Sequence, residues 1–236
     1  MHRELKTLID NDFVKVNYFD AKSSDVVISF SSTPRVDQEE EIAIEQFIGT
    51  LSKQDITGIF VIDKQSSYGN KINFSEIAAA IAPVIINAER VHAIGYCMGG
   101  FLAILMSKVI SLHSVVAITP QWSIHPDILP SESYLNRFTK EIDDWVYPTL
   151  EGKFSEFTKY YIFNSDDPDD QHQIKYFPGD LENVYIYEFG PAFGHDLPES
   201  LDGKLEELML SCIFEGSQQT YDFITDYYKE LGQSIS

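Results

Sequence analysis

The chain has 236 residues, 44% of them hydrophobic, which suits one α/β domain with a sizeable core. Its 17 Lys and Arg residues stand against 37 Asp and Glu residues, a formal net charge of −20. This acidity argues against nucleic acid or an anionic membrane surface as partners, because phosphate groups are bound by clustered basic side chains. The negative charge is also weak evidence against a polyanionic substrate. A charged surface that keeps the protein in solution is a sufficient explanation for the excess of acidic residues.

Apolar runs typical of strands alternate with helical segments along the whole chain. Strands are predicted at 13–19, 25–30, 58–63, 91–94, 114–119, 159–164 and 183–189. Helices are predicted at 39–51, 75–88 (with a kink or break at Pro83), 101–110, 201–212 and 221–231. The alternation predicts a single α/β domain over 1–236, a mostly parallel sheet with helices on both faces.

One segment, at about 121–157, breaks this alternation. It is irregular and rich in aromatic residues, among them Trp122, Tyr134 and Trp145. Two interpretations stay open: a cap over a pocket, or a surface insertion with its own small apolar cluster.

The run Gly95-Tyr96-Cys97-Met98-Gly99 follows an apolar strand and opens an apolar helix. It has the pattern of a nucleophile elbow, G-x-S-x-G, with cysteine in place of serine. A thiol at a helix N-terminus is favoured as thiolate. The alternative is a buried structural cysteine in an ordinary βα turn. The elbow makes the expected architecture a three-layer α/β-hydrolase fold.

A nucleophile on such an elbow needs a base and an acid, which follow it in the chain in that fold. His195 comes after the last predicted strand and beside Gly194, and is the best base among the six histidines. Asp167 follows the preceding strand, and we prefer it as the acid because Pro168 fixes the chain after it, with Asp166 as the runner-up.

The same acidic loop has two further interpretations. It could be a plain solvated loop, or a metal site built from Asp166, Asp167, Asp169, Asp170 and His172. The glycine and glutamate that a calcium-binding EF-hand loop requires are missing, so we predict no metal. No dinucleotide-binding or phosphate-binding glycine motif occurs either, and we expect no cofactor.

An oxyanion hole should consist of two backbone N–H groups. One is that of Met98, directly after the nucleophile. The other should come from the loop after the early strand, through Ser31 or Ser32. With these groups the thiolate would attack an ester, lactone or thioester carbonyl, and water activated by His195 would release the acyl group.

Two resemblances support this interpretation. The sequence Gly-Tyr-Cys-Met-Gly-Gly at 95–100, with the late Gly194-His195, resembles the dienelactone hydrolases, which are α/β-hydrolases with a Cys, Asp and His triad. The segments at 30–32, 68–70 and 119–121, together with the elbow, are similar to hydrolase-like proteins encoded with bacterial surface-polysaccharide genes. Those usually carry serine at the elbow, so Cys97 is a departure. The second resemblance implies that Tyr68 and Gln121 line the pocket mouth, and we place Tyr96 and Trp122 in the same pocket.

The leading expectation is thus a hydrolase acting on a small-molecule or glycan-linked acyl substrate. An acyltransferase with the same triad and a non-catalytic binding protein of the same fold are the alternatives. Two cysteines, Cys97 and Cys212, give no disulfide framework, and Cys97 must stay reduced to act. Residues 1–13 carry no apolar signal-peptide core and no apolar run is long enough to cross a bilayer, so we expect a cytoplasmic protein.

Overall fold

The computed structural model describes residues 3–34, 45–140, 142–189, 195, 204–214, 222 and 226. Its centre is an eight-stranded sheet. The strands are β1 (Lys6–Asp10), β2 (Val14–Phe19), β3 (Asp25–Phe30), β4 (Thr57–Asp63), β5 (Arg90–Tyr96), β6 (Ser114–Ile118), β7 (Lys159–Asn164) and β8 (Val184–Glu188).

The strand order across the sheet is β1-β2-β4-β3-β5-β6-β7-β8. The first two strands pair antiparallel with their neighbours, and all pairs from β4 to β8 are parallel. The mostly parallel sheet predicted from the sequence is therefore confirmed. Strand β1 was not predicted, because its alternating, half-exposed residues lie at the sheet edge in a polar stretch.

Six helices are described: α1 (Ile48–Lys53), α2 (Phe74–Ile85), α3 (Met98–Met106), α4 (Asn136–Thr139), α5 (Pro168–Ile174) and α6 (Lys204–Phe214). Pro83 lies in the last turn of α2, which ends two residues later. The first part of the helix predicted at 39–51 lies outside the described residues. So does the helix predicted at 221–231, except for Asp222 and Asp226, which are both helical.

The helices form one layer on each face of the sheet. On one face, Ile77 and Ile81 of α2 and the whole of α3 join strand side chains in the larger apolar core. On the other face, Leu51 of α1 and Leu208 of α6 pack against the opposite side chains of the same strands. These three layers confirm the predicted fold class. No helix among the described residues is long and apolar enough to span a membrane.

All parallel strands point their carboxyl ends to one edge of the sheet. Ligand sites of open α/β sheets form outside this edge. Cys97 directly follows β5, Gln121 comes three residues after β6, and Asp170 lies in the helix that follows β7. The topology therefore brings these three residues, which stand far apart in sequence, to the same edge of the sheet.

Candidate active site

Cys97 lies in the sharp turn between β5 and α3. Its backbone has φ 54° and ψ −120°, a conformation that costs a residue with a side chain on the order of 1–3 kcal/mol. Its N–H donates to the carbonyl of Ile118 at 2.9 Å, which ties the turn to the neighbouring strand. The thiol is free and buried, and it lies at the N-terminus of α3. This is the strained strand-to-helix turn that the glycine pattern predicts.

The flanking glycines allow strand and helix to approach closely. A Cβ atom on Gly95 would lie 2.1 Å from the carbonyl carbon of Gly99. A Cβ atom on Gly99 would lie 2.3 Å from the carbonyl oxygen of Phe30 in the adjacent strand. Because both obstacles are backbone atoms, no side-chain rotation could relieve either clash. Larger residues at these positions would force the turn apart.

His195 is held by Asp170, not by the predicted Asp167. Nδ1 of His195 lies 2.9 Å from one carboxylate oxygen of Asp170 and 3.1 Å from the other. The Asp170 side chain is buried, and one of its oxygens also accepts the hydroxyl of Ser165 at 2.5 Å. A carboxylate in this position fixes the orientation of the imidazole ring.

The two aspartates preferred from the sequence have other places. Asp167 is the N-cap of α5, and its carboxylate accepts the N–H of Asp169 at 2.9 Å. Asp166 is exposed to solvent. The dipeptide Asp167-Pro168 is the usual start of a helix, an N-cap followed by proline at the first helical position. That signal already indicated a capping role for Asp167, and one turn of helix then brings Asp170 to face the histidine.

Cys97 and His195 perturb each other electrostatically. Burial raises the pKa of Cys97, but hydrogen bonding to His195 and its charge outweigh this, so the net pKa lies below that of an ordinary thiol. Burial lowers the pKa of His195, but hydrogen bonds to Asp170 and Cys97 raise it more strongly, and the net pKa lies well above its usual range. Both shifts favour a thiolate and an imidazolium side by side.

Two tyrosines contact His195. The hydroxyl of Tyr134, from the irregular segment at 121–157, lies 3.0 Å from Nε2. The hydroxyl of Tyr96 donates to the His195 carbonyl at 3.2 Å, and the two rings lie 5.4 Å apart between centroids. Tyr134 was not singled out for the site from the sequence, because only the fold brings this segment to the sheet edge.

Tyr68 and Gln121 surround the sulfur of Cys97. The thiol donates to Oε1 of Gln121 at 3.4 Å, and the Tyr68 hydroxyl donates to the same oxygen at 3.1 Å. The Tyr68 oxygen lies 3.9 Å from the sulfur. Both side chains are buried, so they form the floor of the site around the sulfur.

The backbone N–H of Met98, the first predicted oxyanion donor, hydrogen-bonds to the Cys97 side chain. Ser31 differs from its prediction, because its N–H donates to the carbonyl of Val61 at 2.9 Å and extends the sheet pairing. The Ser32 hydroxyl donates to the Thr33 carbonyl at 3.2 Å and accepts from the side chain of Gln46 at 2.6 Å. Ser32 therefore remains as the predicted backbone donor from this loop.

Trp122 lies in a different hollow, although its neighbour in sequence, Gln121, contacts Cys97. The Trp122 ring stacks on Phe154 and Tyr176 at centroid distances of 6.3 and 6.4 Å. It lines an open groove of about 560 Å³. None of the described contacts of Trp122 joins it to Cys97 or His195. Among the described residues, no group of three His, Cys, Asp or Glu side chains could hold a metal ion.

No protein-family model and no curated protein sequence matches the chain. Solved structures do match it. A capsule O-acetyltransferase of Neisseria meningitidis serogroup A superposes with a TM-score of 0.65 at 14% identity, covering 90% of this chain and 95% of that one. An esterase of Pyrococcus furiosus superposes with a TM-score of 0.54 at 15% identity, covering 87% and 90%. A chain of a glycosylation-associated protein complex of Streptococcus agalactiae gives 0.61 at 13%, covering 89% of this chain and 47% of that one.

These similarities, together with the strand order, show an α/β-hydrolase-like fold. They include both an esterase and an acyltransferase.

Proposed function

We propose that the protein is a hydrolase that forms an acyl-enzyme on Cys97 and cleaves an ester, lactone or thioester. One observation carries the proposal. The buried thiol has a lowered pKa beside His195, whose other ring nitrogen is hydrogen-bonded to the buried carboxylate of Asp170. A nucleophile, a base and an orienting acid in this relation are the machinery of acyl transfer on many folds.

In the first half of the reaction, the Cys97 thiolate attacks the carbonyl carbon. The S–C bond forms and the π pair moves to the carbonyl oxygen, where the Met98 N–H can donate to it. The pair then returns, the bond to the leaving group breaks, and the leaving group takes the Nε2 proton of His195. Asp170 holds the imidazole and stabilises its charged form.

In the second half, His195 accepts a proton from water at Nε2 as that water attacks the thioester. A second tetrahedral adduct collapses, the C–S bond breaks, and Cys97 leaves as thiolate. Thiolate is a better leaving group than an amine. The tetrahedral adduct of an amide would therefore expel Cys97 and return to the substrate without cleavage. The preferred substrates are therefore activated esters, lactones and thioesters, either small molecules or acyl groups linked to a glycan. We propose that the protein acts on them in the cytoplasm.

A second candidate is an acyltransferase, in which an alcohol replaces the water. Two observations favour it. The capsule O-acetyltransferase matches over nearly the full length of both chains, and a variant of that enzyme was solved in complex with CoA. In addition, the Tyr134 hydroxyl at 3.0 Å from Nε2 of His195 occupies a position from which an acceptor hydroxyl could deliver its proton. The formal net charge of −20 is unfavourable for a polyanionic donor such as CoA.

The deciding experiment is a panel of p-nitrophenyl esters and acyl thioesters, tested with the wild type, Cys97→Ala and His195→Ala. The proposal expects turnover by the wild type, a mass increase of one acyl group on Cys97, and loss of both in the variants with unchanged circular dichroism. Turnover that persists in Cys97→Ala would contradict it. Addition of a sugar acceptor to the same assay separates the two candidates, since a transferase diverts the acyl group from water to the sugar.

A third outcome is also informative. If no substrate is turned over and Cys97 reacts with iodoacetamide no faster than Cys212, the protein is a non-catalytic member of the fold.

A further inference from the structure

A buried hydroxyl that the reaction steps above do not use lies beside the nucleophile. The side chain of Tyr68 has no solvent exposure, and its oxygen lies 3.9 Å from Sγ of Cys97. This contact is a long hydrogen bond to the sulfur, and the hydroxyl also donates to Oε1 of Gln121 at 3.1 Å. A carbonyl oxygen of a substrate attached to the sulfur would lie within hydrogen-bond reach of this hydroxyl, because the C–S and C–O bonds span only a few ångströms.

Tyr68 can act at this place only as a neutral donor. Burial, followed by the charge of Cys97, raises its pKa well above its ordinary value, so the O–H keeps its proton throughout the neutral range. Its acceptor is fixed as well. Nε2 of Gln121 donates to the Thr119 carbonyl at 3.1 Å, which turns Oε1 toward Tyr68 and Cys97. The hydroxyl can rotate from this oxygen to a stronger acceptor, such as an oxyanion, without any movement of the ring.

The loop after β4 is built to hold Tyr68 in place. Tyr68 has φ 51°, a backbone region that residues with side chains avoid. The buried carboxylate of Asp63 binds the loop on both sides of it, since it accepts the Ser67 hydroxyl at 2.9 Å and the Gly69 N–H at 3.3 Å. The ring meets Phe101 edge to face at 5.7 Å between centroids. These contacts hold the Tyr68 hydroxyl in one position, as is required of a preorganised hydrogen-bond donor.

The backbone of the neighbouring loop leaves room for such a donor. The Ser31 N–H is engaged with the Val61 carbonyl at 2.9 Å, so one of the two serine donors expected after β3 is already used by the sheet. We infer that the hydroxyl of Tyr68 joins the Met98 N–H in donating to the substrate carbonyl oxygen when the Cys97 adduct forms. This assignment rests on the proposed acyl chemistry of Cys97.

The step balances without any further reagent. The thiolate pair forms the S–C bond, the carbonyl π pair becomes a lone pair on oxygen, and the Tyr68 O–H donates a hydrogen bond while keeping its proton. When the adduct collapses, the pair returns to the carbon and the hydroxyl turns back to Gln121. Tyr68 is thus a catalytic donor and not an acid that is consumed.

The test uses 1,1,1-trifluoro-2-butanone, which captures a thiolate as a stable tetrahedral adduct, with ¹⁹F NMR as the readout. We expect the wild type to form the adduct on Cys97. Tyr68→Phe, which removes one oxygen atom, should weaken the adduct about 10²-fold, the usual effect of losing one oxyanion donor. Tyr160→Phe is the matched control, because Tyr160 is equally buried and its hydroxyl hydrogen-bonds to Ser107 at 2.6 Å, away from Cys97.

Alkylation by iodoacetamide separates a donor from a residue that only positions the thiolate. This substitution at carbon creates no oxyanion. On the high-pH plateau, where Cys97 is ionised with or without the Tyr68 hydrogen bond, the alkylation rate of Tyr68→Phe should stay within about 3-fold of the wild type. An equal loss of adduct formation and of alkylation would overturn the inference, as would an unchanged adduct in Tyr68→Phe or no adduct with the wild type. Thermal unfolding of each variant confirms that it is folded.

The ketone assay does not depend on turnover. If the adduct forms and depends on Tyr68 while no ester or thioester is cleaved, the oxyanion assignment stands and the proposed hydrolase activity fails. If esters are cleaved through Cys97 and Tyr68→Phe changes neither the adduct nor kcat, the hydrolase stands and this assignment fails.

Discussion

The two carboxylate oxygens of Asp170 lie 2.9 and 3.1 Å from Nδ1 of His195, and the carboxylate is buried. We predict that Asp170→Asn lowers kcat by on the order of 10³-fold, because an amide cannot stabilise the imidazolium and could hold the wrong tautomer. Asp167→Asn is the control, since asparagine also caps helices well and should leave kcat within about 2-fold. Steady-state kinetics on the best substrate decides, and equal losses in the two variants would remove Asp170 from its role.

The pH dependence of Cys97 alkylation should report the interaction with His195. Because the net pKa of Cys97 is lowered, the alkylation rate should reach half its plateau at a lower pH than for an ordinary thiol. In His195→Ala only burial and the weaker hydrogen bonds remain. Since burial raises the pKa of a thiol, the midpoint should move to higher pH. Iodoacetamide labelling followed by peptide mass analysis measures it, with Cys212 as the internal reference. A midpoint that is the same in wild type and variant would show that the two groups do not interact.

The elbow glycines should be essential for stability. Gly95→Ala places a Cβ atom 2.1 Å from backbone, so we expect a loss of at least about 3 kcal/mol of unfolding free energy, or no folded protein. Gly49→Ala is the matched control, because nothing lies within 4 Å of its Cβ position and alanine favours the helix that contains it. Urea unfolding of both variants tests this, and similar stabilities would contradict the close approach.

Tyr134 should compete with substrate for His195. Its hydroxyl lies 3.0 Å from Nε2, the atom that must exchange protons with the leaving group and with water. A net hydrogen bond of about 1 kcal/mol must be broken first, so Tyr134→Phe should lower KM roughly 5-fold with little change in kcat. A large drop in kcat would instead show that the hydroxyl takes part in proton transfer.

His92 in β5 should make the fold sensitive to acid. It has no exposure, its Nδ1 lies 2.8 Å from the Ser114 hydroxyl, and burial lowers its pKa to about 4. The unfolded chain binds a proton near pH 6.5 but the folded protein does not, so stability is complete above that pH and falls as the pH drops toward 4. Between pH 7.5 and pH 5, His92 should lower the free energy of unfolding by about 2 kcal/mol.

Urea unfolding of wild type and His92→Gln at the two pH values tests this. The variant should lose less stability on acidification, because glutamine does not titrate. Since Cys97 and His195 are present in both proteins, their contribution cancels in the comparison. An identical loss in both would assign the acid sensitivity to other groups.

The sequence predicted those features of the site that are local. The turn at Cys97 is encoded by five consecutive residues, and the strands by buried apolar runs. The sheet and the candidate positions of Cys97 and His195 could therefore be predicted from short-range patterns. Features set by long-range contacts escaped. Strand β1 owes its existence to pairing with β2, and Tyr134 reaches His195 only through the path of an irregular segment.

The prediction of Asp167 as the partner of His195 was wrong for a different reason. Several aspartates compete within five residues, and the choice among them depends on where α5 begins. Once Asp167 is recognised as its N-cap, the side chain one turn later is the one directed at the histidine. Helix phase, which proline and capping residues define, was the missing piece of information.

Three residues of the candidate site have a backbone conformation that side chains usually avoid: Cys97 at φ 54°, Tyr68 at φ 51° and Thr119, whose carbonyl fixes Gln121, at φ 40°. The backbone conformation therefore sets the direction of these groups, and their side-chain rotamers adjust it only secondarily. Substitutions on the outer surfaces of the helices do not change these turns. Insertion or deletion of a single residue within one of the turns would move the side chain that it holds away from the Cys97 sulfur. The fold can therefore tolerate many changes of amino-acid composition, but it cannot tolerate changes in the lengths of these three turns.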